Sequence, residues 1–333
     1  MKIRALTLFL TDINKNKVED YVNKLEIIKD ERIWTKRIAF PPTPSNISLD
    51  KLGDLLPENK DILFSLIHVK SNDQRIKEIP SILKTNSNIY ASILLKRIED
   101  VKDISNFLYS LDPELSTRVA VLIYDDFLVT PYFPVGSANT ILDSLAISLL
   151  YANDYLEGKV SKSLYEANQL GTKFSKLLNL KYIGIDISLS PWMNESVAEI
   201  IEKKSGKIFS PGNIYTVLEL NKEIFNEAWK QKINPIGFSE TMLPVAEDSL
   251  LIKRVEEGNL RLPHLQQLTF VCVAGLDMVA ITRDKDLYFK ILLDSIAIQF
   301  NKRRPYGIRI IPSTGSDYIF VNGYGKIPVI KIV

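Results

Sequence analysis

The sequence predicts an α/β protein with a mainly parallel sheet or barrel and helices on its outside. Three observations carry this. Short apolar runs alternate with amphipathic helical stretches through the first 124 residues, the pattern of repeated βα units. No repeat, low-complexity tract or linker divides the 333 residues, so residues 1–333 read as a single α/β domain. Hydrophobic residues make up 46% and charged residues 25%, the balance of a chain that buries an ordinary globular core.

The elements follow in order. KIRALTLFL (2–10) reads as a first strand, and NKVEDYVNKLEII (16–28) places Val18, Val22, Leu25 and Ile28 on one helical face. RIWTKRIAF (32–40) is a strand stopped by Pro41-Pro42. ILFSLIHV (62–69), IYASILL (89–95) and RVAVLIY (118–124) are further strands, with helices over 73–84 and 99–111. YDDFLVTPYFPVGSAN (124–139) is rich in Pro, Gly and aromatic residues. It is a loop at a strand's carboxyl end, where α/β folds place ligands, and the pattern predicts a long helix after it, about 140–156. A helix over 161–179 and a strand YIGIDISLS (182–190) come next. PWMNESVAEIIEKKSG (191–206) is a helix with Asn194 as N-cap and Gly206 as C-cap, and 212–230 is another amphipathic helix. Residues 237–258 begin strand-like and turn helical after Pro244. FVCVAGLDMVAI (270–281) reads as a buried strand or strand pair, followed by a helix over 284–300 and strands separated by Gly-rich turns.

Composition excludes several function classes. A net charge of +2 supplies no electrostatic footprint for nucleic acid or an acidic membrane. A single cysteine, Cys272, forms no intrachain disulfide and fits a reducing compartment. MKIRALTLFL carries no cleavage-site pattern, and ILDSLAISLLYA (141–152) is too short to span a bilayer. These features predict a cytoplasmic protein with no membrane partner and leave a homo-oligomer open. Two histidines, with no H-E-x-x-H and no C-x-x-C, predict no His- or Cys-based metal site, and spacing alone gives no support to the remaining alternative, a carboxylate-only Mg²⁺ site from Asp186, Glu247 and Asp248. Neither G-x-G-x-x-G nor a Walker loop is present, so the motifs leave the cofactor unknown.

Chemistry is then sought among lone polar residues in apolar surroundings. Asp186 and Asp277 each place one carboxylate in an apolar run, which is costly unless the group is paired or hydrogen-bonded. Such acids cluster at functional sites, and the plainer reading is a carboxylate satisfied by backbone N–H groups. Glu247 and Asp248 are further acid candidates, set against first-turn acids favoured by a helix dipole. Cys272 is a candidate nucleophile, although a buried free cysteine more often serves as a small hydrophobe and nothing adjacent in sequence lowers its pKa. Ser188 and Gly275 are ligand-binding candidates beside the two aspartates. Gly212 and Asn213 are candidates as the start of a helix whose free N–H groups suit an anion.

Several motifs, in order, carry a family resemblance. TPYFPVGSA (130–138), GIDISLSPWMNESVAEIIE (184–202), PVAEDSLLIKRVEEGNL (244–260), VAGLDMVAI (273–281) and GIRIIPSTG…FVNGYGKIPVI (307–330) resemble the uncharacterised family called domain of unknown function 711. The resemblance implies a pyruvate formate-lyase-like fold: a ten-stranded α/β barrel with helices outside and an inner hairpin, in which Cys272 and the turn before Asp277 are counterparts of the inner region. It implies no reaction, because fold does not fix function. FVNGYG (320–325) reads as a β-turn and not as a glycyl radical motif. Three loops depart from the family pattern: SLSPWMNES brings Trp192 and Met193, SPGN (210–213) replaces a Gly- and Thr-rich turn, and GFSETMLPV brings Glu240 and Thr241. The resulting expectation is an enzyme acting on a small polar metabolite in a barrel-mouth pocket, or a non-catalytic binding or assembly protein on the same fold.

Overall fold

The computed structural model describes residues 1–57, 61–271 and 275–332. Five parallel strands come first: β1 (Lys2–Phe9), β2 (Ile33–Ala39), β3 (Ile62–Lys70), β4 (Ile89–Leu94) and β5 (Val119–Ile123). They lie side by side in chain order. Parallel neighbours need right-handed crossovers, and crossovers that always step the same way put their helices on one face. That face is covered by, among others, Lys15–Ile27, Ile79–Thr85 and Val101–Ser110. The first helix buries Val18, Tyr21, Val22 and Leu25, close to the predicted stripe, and Asn14 caps it by accepting from the Asn16 and Lys17 N–H groups.

After β5 the chain crosses to the far edge. There β6 (Ser144–Leu150) runs antiparallel to β1, and β7 (Lys181–Asp186) runs parallel to β6. The long helix expected over 140–156 is therefore a strand, followed only by a short helix, Ala152–Leu156. SLAISLL is buried at every position, and a strand covered on both faces loses the alternation that would separate it from a helix. The opposite edge is β9 (Tyr306–Ile308), antiparallel to β5. The eight-stranded order is thus β7-β6-β1-β2-β3-β4-β5-β9.

Two small pairs complete the strands: β8 (Val279–Thr282) parallel to β10 (Ile310–Ser313), and the hairpin β11 (Tyr318–Val321) with β12 (Gly325–Pro328). Among the described residues the regular ladders stay open and close no ten-stranded barrel. Among its described residues FVCVAGLDMVAI yields the strand β8; residues 272–274, which include Cys272, lie outside the described residues. FVNGYG forms the hairpin turn between β11 and β12.

The sheet's other face carries a second apolar layer in which Phe9, Ala39, Phe133, Ala138 and Ala146 pack with Leu63 and Tyr90. Loop 124–139 folds across this face. Ser65 Oγ donates to the Pro134 carbonyl at 2.8 Å, and the Ala138 N–H donates to the Phe40 carbonyl at 2.7 Å. His68, on β3, is nearly inaccessible and held by neutral partners: Nε2–H donates to the Ser65 carbonyl at 3.0 Å, and Ser92 Oγ donates to Nδ1 at 2.7 Å. Neither partner compensates a positive charge.

Burial pushes the His68 pKa from 6.5 down to about 4. The unfolded chain then binds the extra proton first as pH falls, so the contribution is whole above pH 6.5 and is lost between 6.5 and about 4. Urea titrations across this range should show roughly 3 kcal/mol of stability disappearing with acid, with the slope reduced in His68→Asn. An unchanged slope in the variant would remove His68 from this role.

Candidate functional site

Two arginines set in apolar surroundings define the site. Arg4 lies in β1 where the pairing with β6 shifts register between Ile3 and Ala5, and such bulges re-aim a side chain. Arg309 lies between β9 and β10, at the point where one continuous extended segment passes from pairing with β5 to pairing with β8. Its N–H donates to the Leu276 carbonyl at 2.9 Å, so the backbone at the junction is fixed. Both guanidiniums are buried.

Two carboxylates meet them. Arg4 Nη2 reaches Glu247 Oε2 at 2.5 Å, and Arg309 Nη2 reaches Glu247 Oε1 at 3.1 Å. Arg309 also grips Asp277 with a fork, Nε to Oδ1 at 2.5 Å and Nη2 to Oδ2 at 2.7 Å. The result is a buried chain Arg4–Glu247–Arg309–Asp277. Asp277 is delivered by a tight bend: Gly275 has φ +70°, and a Cβ there would sit 2.3 Å from the Gly307 carbonyl oxygen. The segment before Ser249 is pinned beside it by Val245 N–H donating to the Asp277 carbonyl at 3.0 Å.

Environment separates the two acids. Burial would raise Glu247, but the Arg309 and Arg4 charges outweigh it and hold the carboxyl below its ordinary value. Burial raises Asp277; Arg309 opposes the shift and the Glu247 charge adds to it. Arg309 is held protonated, since its two carboxylates outweigh burial.

A third arginine faces the same space. Arg37, on β2, donates through Nε to Thr35 Oγ1 at 2.9 Å and through Nη1 to the Pro131 carbonyl at 3.0 Å. Among the described residues no carboxylate pairs with it. Burial pushes it down to about 10, and Arg4 adds to that effect.

These five charged groups line a cavity of about 200 Å³. Its walls are largely aromatic, with Trp34, Tyr90, Tyr132, Phe133, Trp192 and Tyr324. The Trp34 and Trp192 rings lie 4.7 Å apart and Trp192 and Tyr324 5.9 Å apart, and the Arg4 guanidinium is 5.4 Å from the Trp34 ring centre. Tyr132 Oη donates to Ser190 Oγ at 2.9 Å. A larger concavity of about 760 Å³ lies on the surface between helices, where Lys204 pairs with Glu223 and Lys230 with Glu227. Charges that neutralise one another in solvent make it the weaker candidate.

The sequence candidates sort unequally. Asp277 and Glu247 converge on the cavity. Asp186 lies elsewhere: it accepts from Thr130 Oγ1 (2.6 Å), Ser188 Oγ (2.5 Å) and the N–H groups of Ser188 (3.1 Å), Phe238 (2.9 Å) and Ser239 (2.9 Å). Burial raises its pKa. It ties three loops together, and Gly237, at φ +65°, is needed there because a Cβ would sit 2.3 Å from Asp186 Oδ2. Ser188 spends its hydroxyl on that carboxylate. Asp248 caps the helix Ser249–Glu256 and also accepts from Ser196 Oγ, Val197 N–H and Ala198 N–H at the start of Val197–Ser205. Ser196, not Asn194, caps that second helix, because its hydroxyl accepts from the Glu199 N–H. Gly212 and Asn213 open Asn213–Lys230, where Asn213 Nδ2 donates to Ser205 Oγ at 2.8 Å; neither lines the cavity. Of the departing loops, Trp192 reaches the cavity, while Thr241 donates to Asn221 Oδ1 and Glu240 pairs with Arg304.

The arginines escaped the sequence reading, while of the aromatic wall Trp192 and the loop holding Tyr132 and Phe133 were already marked. The signal was present for Arg4, the one charge inside the run IRALTLF, and for Arg309, the one charge in YGIRIIPS, and the rule applied to lone aspartates extends to them. Trp34 and Tyr324 gave no such signal, since aromatic residues are ordinary in strands and turns.

Among the described residues no cluster of His, Cys, Asp and Glu is arranged to hold a metal ion, and no helix is long and apolar enough to cross a membrane. Fold and site together define an α/β protein with a large central sheet and a buried ionic cavity. The profile of the family described as Uncharacterised ACR (DUF711) matches residues 142–318, just over half the chain, and the protein belongs to that family. It is similar to a UPF0210 protein of Pyrobaculum aerophilum, 26% identical over 277 residues, covering 74% of this chain and 61% of that protein. A UPF0210 protein of Lactobacillus helveticus is 26% identical over 303 residues, 82% of this chain and 67% of the relative. One of Methanocaldococcus jannaschii is 31% identical over 172 residues, 49% and 38% respectively. The chain thus spans about three-fifths of the Pyrobaculum relative's length.

Arg309→Met leaves Asp277 without its forked partner and Glu247 with Arg4 alone. Urea unfolding should show a loss of about 3–5 kcal/mol, the usual cost of orphaning a buried charge. A loss below about 1 kcal/mol would mean that the carboxylates are satisfied without Arg309.

Proposed function

We propose that the protein takes a small polar metabolite into the cavity between Arg4, Arg37, Arg309, Glu247 and Asp277, and acts on it as an enzyme. The observation that carries the reading is charge: three guanidiniums and two carboxylates face one partly open space walled by aromatic side chains. Asp277 is the proton carrier in this reading, because its environment raises its pKa while that of Glu247 is lowered. Glu247 orients Arg4 and Arg309. Ser190 and Tyr132 supply neutral hydrogen-bonding groups.

The fold reading behind this proposal is a ten-stranded barrel of the pyruvate formate-lyase-like kind, part of it held by isolated bridges. Pairings of Ile185 with Pro235 and Leu189 with Thr241 continue beyond β7, and Ala246 N–H donates to the Met278 carbonyl just before β8. A second reading, a non-catalytic binding protein, draws on the ion pairs that already occupy both carboxylates.

Native mass spectrometry after exposure of the protein to a mixture of small polar metabolites tests the proposal. The wild type should retain a solute, and Leu63→Trp, which fills the cavity from β3, should not. Turnover of that solute, lost in Asp277→Asn with binding kept, identifies the enzyme. Retention unaffected by Leu63→Trp refutes the cavity, and unchanged turnover in Asp277→Asn refutes Asp277 as the proton carrier.

A further inference from the structure

The charges that line the cavity do not balance. Arg4 and Arg309 share Glu247 and Asp277 among themselves, and Arg37 is left over. Thr35 and the Pro131 carbonyl fix its plane through Nε and Nη1, and Nη2 has no hydrogen-bond partner among the described residues. A buried guanidinium held by neutral acceptors alone is expensive, and an entering anion removes that cost. A singly charged ligand restores neutrality, whereas a dianion would overshoot it.

The rest of the cavity narrows the class. The fork geometry of a guanidinium matches a carboxylate. The space of about 200 Å³ is small for a ligand site and limits the ligand to a compact molecule. Phe133 stands beside Arg37, its ring centre 5.1 Å from the guanidinium carbon, and Trp34, Trp192 and Tyr324 face the remainder. Such walls offer stacking faces and edges to a flat or aromatic body.

We propose that the ligand is a small monocarboxylate with a planar or aromatic body, its carboxylate received by Arg37. The assignment rests on the reading of the cavity as a binding site and adds the chemical class. Arg37 is here a binding residue, distinct from Asp277, which faces the ligand from the side of Arg309.

Titration calorimetry with benzoate, benzamide and inorganic phosphate, followed in parallel by tryptophan fluorescence from Trp34 and Trp192, tests it. Benzoate should bind the wild type, with benzamide and phosphate each at least tenfold weaker. Arg37→Met should weaken benzoate by on the order of thirtyfold or more, the usual consequence of truncating a buried charged partner. Arg37→Lys, which keeps the charge and loses the fork, should fall between them and serves if Arg37→Met does not fold. Benzamide binding equal to benzoate, tighter binding of phosphate, or benzoate binding indifferent to both Arg37 variants overturns the class and leaves the cavity reading intact. No binding of any probe also overturns the class. If Leu63→Trp then leaves solute retention in native mass spectrometry unchanged, the cavity reading falls with it.

Discussion

Arg309 holds two buried carboxylates at once, and the geometry around the cavity follows from that contact. Glu247 and Asp277 come from separate segments, and neither tolerates burial as an anion without a cation. Arg309 meets both from the break between β9 and β10, and Arg4 closes the other side of Glu247 from the opposite end of the chain. Four segments distant in sequence are thereby fixed to one another: the β1 bulge, the turn before Ser249, the bend after Gly275 and the last long extended segment. An apolar cluster would fill the same space at less electrostatic cost, and breaking one member of an ionic chain is far more damaging than never having built it. The arrangement is more readily explained by a requirement for charge in the cavity than by one for stability.

Much of the fold was legible in sequence, and the misreading has a physical source. The five parallel strands of the first half announced themselves because each is an apolar run between helical stripes such as Val18, Val22 and Leu25. β6 did not, because SLAISLL is covered on both faces and carries no period. Asn194 looked like a helix cap, but Ser196 has the hydroxyl that reaches the Glu199 N–H. Among the candidate site residues, one rule, a lone acid in an apolar run, selected both Asp186 and Asp277. Sequence alone could not separate them, since the difference lies in partners. Asp186 collects hydrogen-bond donors from three loops, while Asp277 faces a guanidinium and an open space. Arg37 was invisible in WTKRIAF, where a charged residue next to a lysine reads as the solvent side of a strand.

The aromatic wall gives the cavity its individuality. Trp192 comes from SLSPWMNES, a loop that departs from the pattern of the family this chain resembled in sequence, and Tyr324 comes from the FVNGYG turn. Both touch the region around Arg4 without joining the ion pairs. In this chain the ionic chain and the aromatic wall are distinct features: one sets the electrostatics of the space, the other its shape.

The most direct test of this account is a double-mutant cycle between Arg4 and Arg309. The two guanidiniums do not pair with each other, and among the described residues Glu247 is the carboxylate that links them. Unfolding free energies of Arg4→Met, Arg309→Met and the double variant should be non-additive by more than about 1 kcal/mol, because the second substitution acts on a carboxylate already half released. Additivity within about 0.5 kcal/mol, the behaviour of independent sites, would contradict the claim that one shared carboxylate couples the two ends of the chain.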